Sequence, residues 1–202
     1  MTQLSPRIFL IAGSAERSSY IRVSLDILQD ILRDSGAQTC VWDLSECSLP
    51  LFKPSWPQSS PEHETRLVEE FLRQADQADA FVLGSPVYHN SFSGILKNAL
   101  DTLSREHFHR KAVALVSNGY NERTASVPCE HLRSVVKELS AITIPMQMVT
   151  IPDDFISRDN QNVLINPSLK ERFWQFANEL LYFTGLLRSV GASQASISRV
   201  TG

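Results

Sequence analysis

The chain is short of cysteine. Cys40, Cys47 and Cys129 are odd in number, far apart and never spaced as Cys-x-x-Cys. That speaks against a disulfide framework or a metal knuckle and for reduced intracellular thiols. Long apolar runs are missing too: none approaches the ~20 residues that cross a bilayer. Met1 to Pro6 lacks the charged and apolar regions of a signal peptide. Together these absences predict a cytoplasmic location and no membrane partner. Charge of one sign is equally scarce, with a formal net charge of -3 over 202 residues and no Lys/Arg-rich run. Nucleic acid is therefore not expected as a partner. No internal repeat or low-complexity tract interrupts the chain, whose length suits one domain over 1–202 with its own core.

What is present is a regular alternation of strand and helix. Arg7 to Ala12 is an apolar run halted by Gly13-Ser14, which predicts a buried strand. Apolar side chains at 23, 27, 28, 31 and 32 predict a helix over about Ser19–Asp34, stopped by Gly36. Gln38 to Asp43 is the second strand. Leu44 to Pro61 holds Pro50, Pro54, Pro57 and Pro61 and cannot be regular, yet Leu51, Phe52 and Trp56 predict that it packs against something. A helix with Leu67, Val68, Phe71, Leu72 and Ala75 on one face follows. Ala80 to Leu83 and Lys111 to Val116 are two more buried strands, separated by a helix through Leu103. A helix carrying Leu132, Val135, Val136 and Leu139 leads to a fifth strand near Ile142–Val149, where Pro145 favours an edge. Asp153 to Asn166 is read as loop. The last helix starts at Pro167 and turns Leu169, Phe173, Phe176, Ala177, Leu180 and Leu181 inward. The core is placed at about 7–183, and the small, polar tail, from about 188–191 to 202, is expected to fray.

Five strands alternating with five helices imply an α/β fold, a doubly wound parallel sheet with helices on both faces. In the flavodoxin-like order 2-1-3-4-5, strands one, three and four are neighbours, and the loops at their carboxyl ends meet in one crevice. The first loop, Gly13 to Arg22, offers hydroxyls, Arg17 and the amides of a helix start, which suits a phosphate. It has one glycine and no Gly-Lys-Ser/Thr, so it is neither a dinucleotide turn nor a Walker loop. Its plain alternative is a helix cap by Ser18 or Ser19. The second loop, Pro86-Val87-Tyr88-His89-Asn90-Ser91, offers amides, one ring and polar side chains that suit a planar heterocycle. Tyr88 can equally be ordinary packing at the helix entrance, and His89 a surface residue. The third turn is Ser117-Asn118-Gly119-Tyr120-Asn121.

Pro86-x-Tyr88-x-x-Ser91-x-x-Gly94-x-Leu96-Lys97-Asn98-Ala99-x-Asp101 resembles the P-x-Y-x-x-S-x-x-G-x-L-K-N-A-x-D pattern of the NAD(P)H-dependent FMN reductases. These form a flavodoxin-like family of flavin, quinone, azo and chromate reductases. Gly13-Ser14 with Ser19 resembles that family's G-S-x-R-x-x-S phosphate loop, and Leu49-Pro50-Leu51-Phe52 resembles its segment after the second strand. The resemblance implies an FMN site built from Ser14, Arg17, Ser19, Tyr20, Ile21, Pro86, Val87, Tyr88, His89, Asn90, Ser91, Ser117 and Gly119. There are two departures. Glu16 stands where the phosphate-loop arginine is expected, with Arg17 beside it as the substitute. Glu122 and Arg123 stand where the loop after the fourth strand has a glycine pair.

By the same resemblance, NADPH or NADH stacks on the exposed flavin face and passes a hydride to N5. A small electron acceptor then takes the same place. No side chain is expected to be an essential acid or base, so no catalytic residue is assigned, and no metal site is expected. Family members are commonly homodimers or homotetramers; the Pro-rich segment and the Lys97 helix are the expected interface pieces. Two other classes stay open. One is a flavodoxin-like electron carrier without its own NAD(P)H site, which the near-neutral charge argues against. The other is a flavin-free scaffold, to which the two departures point.

Overall fold

A computed structural model describes residues 5–54, 61–159 and 161–198. Its main sheet has five parallel strands: β1 (Arg7–Ala12), β2 (Gln38–Asp43), β3 (Ala80–Pro86), β4 (Ala112–Asn118) and β5 (Ile142–Thr150). They lie in the expected flavodoxin-like order, β2-β1-β3-β4-β5.

Side-chain alternation along β1 divides the core. Ile8, Leu10 and Ala12 face one layer, while Phe9 and Ile11 face the other. The first layer is built from α1 (Tyr20–Asp34) and α7 (Pro167–Ser198). Ile21, Leu25, Leu28 and Leu32 of α1 meet Phe173, Phe176, Ala177 and Leu180 of α7 there. Val23, Ile27 and Ile31 flank that stripe rather than centring it. The second layer is built from α2 (Glu62–Gln77), α3 (Gly94–Thr102) and α6 (Val127–Glu138). In it Phe71 lies edge-on to Trp42, and Phe108 stacks on Phe81.

Several boundaries differ from the sequence reading, for physical reasons. β3 runs past Leu83 because Ser85 and Pro86 still pair with Ser117 and Asn118 of β4. Proline is tolerated there as the last residue of the strand. β5 is an edge strand with a register shift opposite Val113–Leu115, which accommodates Pro145. The stretch read as loop from Asp153 forms a hairpin, β6 (Phe155–Arg158) with β7 (Gln161–Leu164). Its four-residue strands are too short for periodicity to register. The hairpin is held by Phe155 and Leu164 in the α1 layer and by a ring contact between Phe155 and Tyr20. Two single-turn helices, α4 (Arg105–Phe108) and α5 (Glu122–Ala125), were not expected. α7 continues to Ser198, beyond the point where fraying was expected, and residues 199–202 lie outside the described range. Trp56 also lies outside it. No described helix is long and apolar enough to cross a membrane.

Candidate flavin crevice

The carboxyl ends of β1, β3 and β4 converge through hydrogen bonds that fix one loop against the next. The Gly13 amide donates to the Gly84 carbonyl at 2.8 Å, and the Ser93 hydroxyl donates to the Gly13 carbonyl. Ser93 also caps α3 by accepting from the Leu96 amide at 3.2 Å, so one side chain joins the first loop to the second. A Cβ at position 13 would meet the Gly84 carbonyl oxygen and the Leu96 Cβ, each at 2.7 Å. Glycine is required at that point by close approach. The Val87 amide donates to the Asn118 carbonyl at 2.8 Å, tying the second loop to the third.

Between these loops lies a cavity of about 320 Å³, at the small end of the roughly 300–1,000 Å³ of small-molecule sites. Ser14, Ser18, Ser19, Tyr20 and Ile21 line one end, and Pro86, Tyr88 and Asn118 the other. Glu16 and the hairpin residue Asn162 complete it. Asn162 donates from Nδ2 to the Ser18 carbonyl at 2.7 Å and so closes the first loop from outside. A neighbouring cavity of about 470 Å³ shares Ser18 and Asn162 and is lined further by Arg17, Arg22, Asp26 and Asp30.

The first end suits a phosphate. The Ser14 hydroxyl accepts from the Glu16 amide at 3.1 Å, and the Ser19 hydroxyl caps α1 by accepting from the Arg22 amide at 3.1 Å. A serine hydroxyl that accepts one bond still has its own proton to donate. The cap and the phosphate site are therefore compatible, and the two readings of Ser19 do not compete. The Tyr20 and Ile21 amides, first in α1, have no acceptor among the described residues and point as helix N-terminal donors do.

The other expected residues are placed unevenly. Tyr88 to Ser91 is a tight turn closed by paired backbone bonds of 2.9 and 3.0 Å, with His89 (φ 47) and Asn90 (φ 61) in the left-handed region. Of its amides, those of His89 and Asn90 are left open among the described residues, while Val87, Tyr88 and Ser91 are bonded within the chain. Val87, His89, Asn90 and Ser91 do not line the cavity. The Ser91 hydroxyl instead meets His131 Nδ1 of α6 at 2.9 Å. Arg17 lines the neighbouring cavity rather than the crevice. Ser117 is fully buried; its hydroxyl donates to the Ala125 carbonyl and accepts from Cys129 Sγ at 3.2 Å. Gly119 packs against Ala125, because Glu122 and Arg123 wind into α5 where a glycine pair would have left an open loop. From β4 it is Asn118 that reaches the crevice. Ser93, Asn118 and Asn162 were missed; of these only Ser93, a serine just ahead of a helix pattern, left a readable signal.

The family model for NADPH-dependent FMN reductases matches residues 6–155. The chain belongs to that family. An FMN-dependent NADPH-azoreductase of Staphylococcus saprophyticus is 33% identical over 175 residues, covering 86% of this chain and 93% of that protein. Among solved structures, an oxidoreductase from Corynebacterium diphtheriae superposes with a TM-score of 0.70 at 17% identity, covering 90% of this chain and 98% of that one. Oxidised flavodoxin 1 from Bacillus cereus gives 0.57 at 14% identity, over 88% and 98%. At such identities the last two establish the flavodoxin-like fold. The family match assigns the motif on α3 a structural task visible here. Asn98 of Leu96-Lys97-Asn98-Ala99 accepts from the Phe52 amide at 2.8 Å and donates to the Pro50 carbonyl at 2.9 Å, holding Pro50 and Phe52 against α3.

Proposed function

We propose that the crevice holds FMN and that the chain is an NAD(P)H-dependent oxidoreductase delivering electrons to a small organic acceptor. Azo compounds and quinones are the first candidates. The observation that carries this reading is the convergence of three strand-end loops on one cavity with anion donors at one end and Pro86 and Tyr88 at the other. Family membership agrees with it, and the similarity to an NADPH-azoreductase favours NADPH as donor.

Bound FMN would supply hydride acceptance and delivery. The protein's own residues bind and orient. The Ser14 and Ser19 hydroxyls, with the Tyr20 and Ile21 amides, hold the phosphate end. Tyr88, about half exposed, offers its ring beside the heterocycle, and the open His89 and Asn90 amides are the donors available to the polar edge of that ring. No described side chain in the crevice is an acid or base with a partner arranged to move a proton. We therefore assign no catalytic residue, and Val87, Ser91, Ser117 and Gly119 act by shaping loops. His89 sits at an exposed turn tip, without a side-chain partner among the described residues.

Two further parts belong to the proposal: a cytoplasmic location and a homodimer or homotetramer joined through the exposed Leu51–Phe52 edge. The test is anaerobic mixing of the FMN-loaded protein with NADPH and with NADH. Loss of the visible flavin band with NADPH, followed by recovery on adding an azo dye or quinone, is the expected result. Reduction only by a protein donor would make the chain an electron carrier. A protein that takes up no FMN would end the reading.

A further inference from the structure

Among the described residues that line the crevice there is one carboxylate and no lysine or arginine. Glu16 lines the same cavity as Ser14 and Ser19, its backbone fixed there by the bond from its amide to Ser14 Oγ at 3.1 Å. Its carboxylate has no ion pair among the described residues. No cation among the described lining residues compensates. Arg17 faces the neighbouring cavity beside Asp26 and Asp30. Arg22 is held by Asp26 at 3.0 Å and by the buried Asp43 at 3.2 Å. The two asparagines that could donate into the crevice direct their side-chain amides elsewhere, Asn162 to the Ser18 carbonyl at 2.7 Å and Asn118 to Thr150 Oγ1 at 3.0 Å.

Resting on the flavin reading above, we propose that Glu16 is a specificity-determining residue that works against the phosphate, so that the crevice accepts riboflavin alongside FMN. A phosphate monoester carries about -1.5 to -2 charges near neutral pH. The hydroxyls of Ser14 and Ser19 and the first amides of α1 attract it, while a carboxylate in the same open cavity repels it. At about 6 Å through a water-like medium, and with ordinary salt screening at the exposed Glu16, that repulsion lowers affinity for the phosphorylated ligand roughly three- to tenfold. Riboflavin has the same heterocycle and ribityl chain without the charge and is untouched by this term. The consequence is a narrowed preference for the phosphorylated flavin, with the phosphorylated and unphosphorylated forms both usable.

The test is equilibrium binding of FMN and of riboflavin to the flavin-stripped protein, followed by quenching of flavin fluorescence. Four proteins are compared: wild type, Glu16→Gln, Glu16→Arg and Arg17→Ala. The proposal expects riboflavin to bind wild type. It also expects the preference for FMN to widen roughly three- to tenfold in Glu16→Gln and further in Glu16→Arg, with riboflavin affinity constant and Arg17→Ala leaving the preference nearly unchanged. Glu16→Gln keeps the shape of the side chain, so a loss of fold would show as a parallel fall for both ligands. An unchanged preference in both Glu16 variants, a parallel fall included, overturns the proposal. So does a wild type that binds FMN and no riboflavin. If wild type binds neither flavin, the reading of the crevice itself fails, a result separate from the first two.

Discussion

In the proposed site, Ser14 and Ser19 serve the fold and would serve a ligand with the same hydroxyl. Each accepts a local amide, and each keeps a proton for an anion. Replacing both with alanine should weaken FMN binding by roughly tenfold or more per hydroxyl, since a hydrogen bond to a charged acceptor contributes about 1.5–3 kcal/mol. Riboflavin affinity should stay unchanged. Ser19→Ala also removes a helix cap worth about 1 kcal/mol, so thermal melting must be followed alongside, and unaltered FMN affinity in the double variant would refute the placement. The cysteines make a second residue-scale contrast. Burial raises the Cys129 thiol to about 11, and burial also raises that of the half-buried Cys40, whereas Cys47 is exposed. The thiolate is the reactive form and is fully populated only above the pKa. At mildly alkaline pH an alkylating reagent should label Cys47 first and Cys129 only after denaturation; peptide mass mapping reads the order.

At the scale of elements, the long pieces were legible and the short ones were not. β1, β2, α1, α2 and α7 begin where the apolar period and the flanking Gly, Ser or Pro placed them. A helix or strand that must cover a core repeats its apolar spacing many times. The β6–β7 hairpin and α5 repeat it hardly at all, and tertiary contacts stabilise them: Phe155 and Leu164 are drawn into the α1 layer, and Ala125 seats against Gly119. The proline-rich segment was legible only as something that packs, because its anchor lies 46 residues further along, where the Asn98 side chain accepts from the Phe52 amide. Asn98→Ala should therefore loosen Leu49–Phe52 while leaving the sheet intact. Limited proteolysis is expected to cut faster within residues 49–61, with a stability loss of about 1–3 kcal/mol from the unpaired backbone groups. Equal cleavage rates in variant and wild type would show that the segment is held by other means.

For the whole molecule, the exposed Leu51 (74%) lines a largely apolar cavity with Leu44, Leu49 and Ile95, and the exposed Phe52 (41%) is its neighbour in the chain, the kind of surface that monomers seldom leave uncovered. Sedimentation at micromolar concentration should give at least twice the chain mass, and a Leu51→Ser/Phe52→Ser variant should shift it toward the monomer; a wild-type monomer would discard the proposal. The sequence by itself determined a parallel sheet of five strands and the polar loops at its strand ends, which the flavodoxin-like order brings to one carboxyl edge. Strand and helix periods are local, and right-handed crossovers leave few ways to join them. It also carried the motif that placed the chain in its family. Only the tertiary structure decided which side chains of those loops enter the crevice. Asn118 enters while its neighbour Ser117 turns into the core, Asn162 arrives from a hairpin far along the chain, and Glu16 stands in the crevice while Arg17 faces the next cavity. A loop side chain has no period to betray its direction; that is settled by contacts made across the fold.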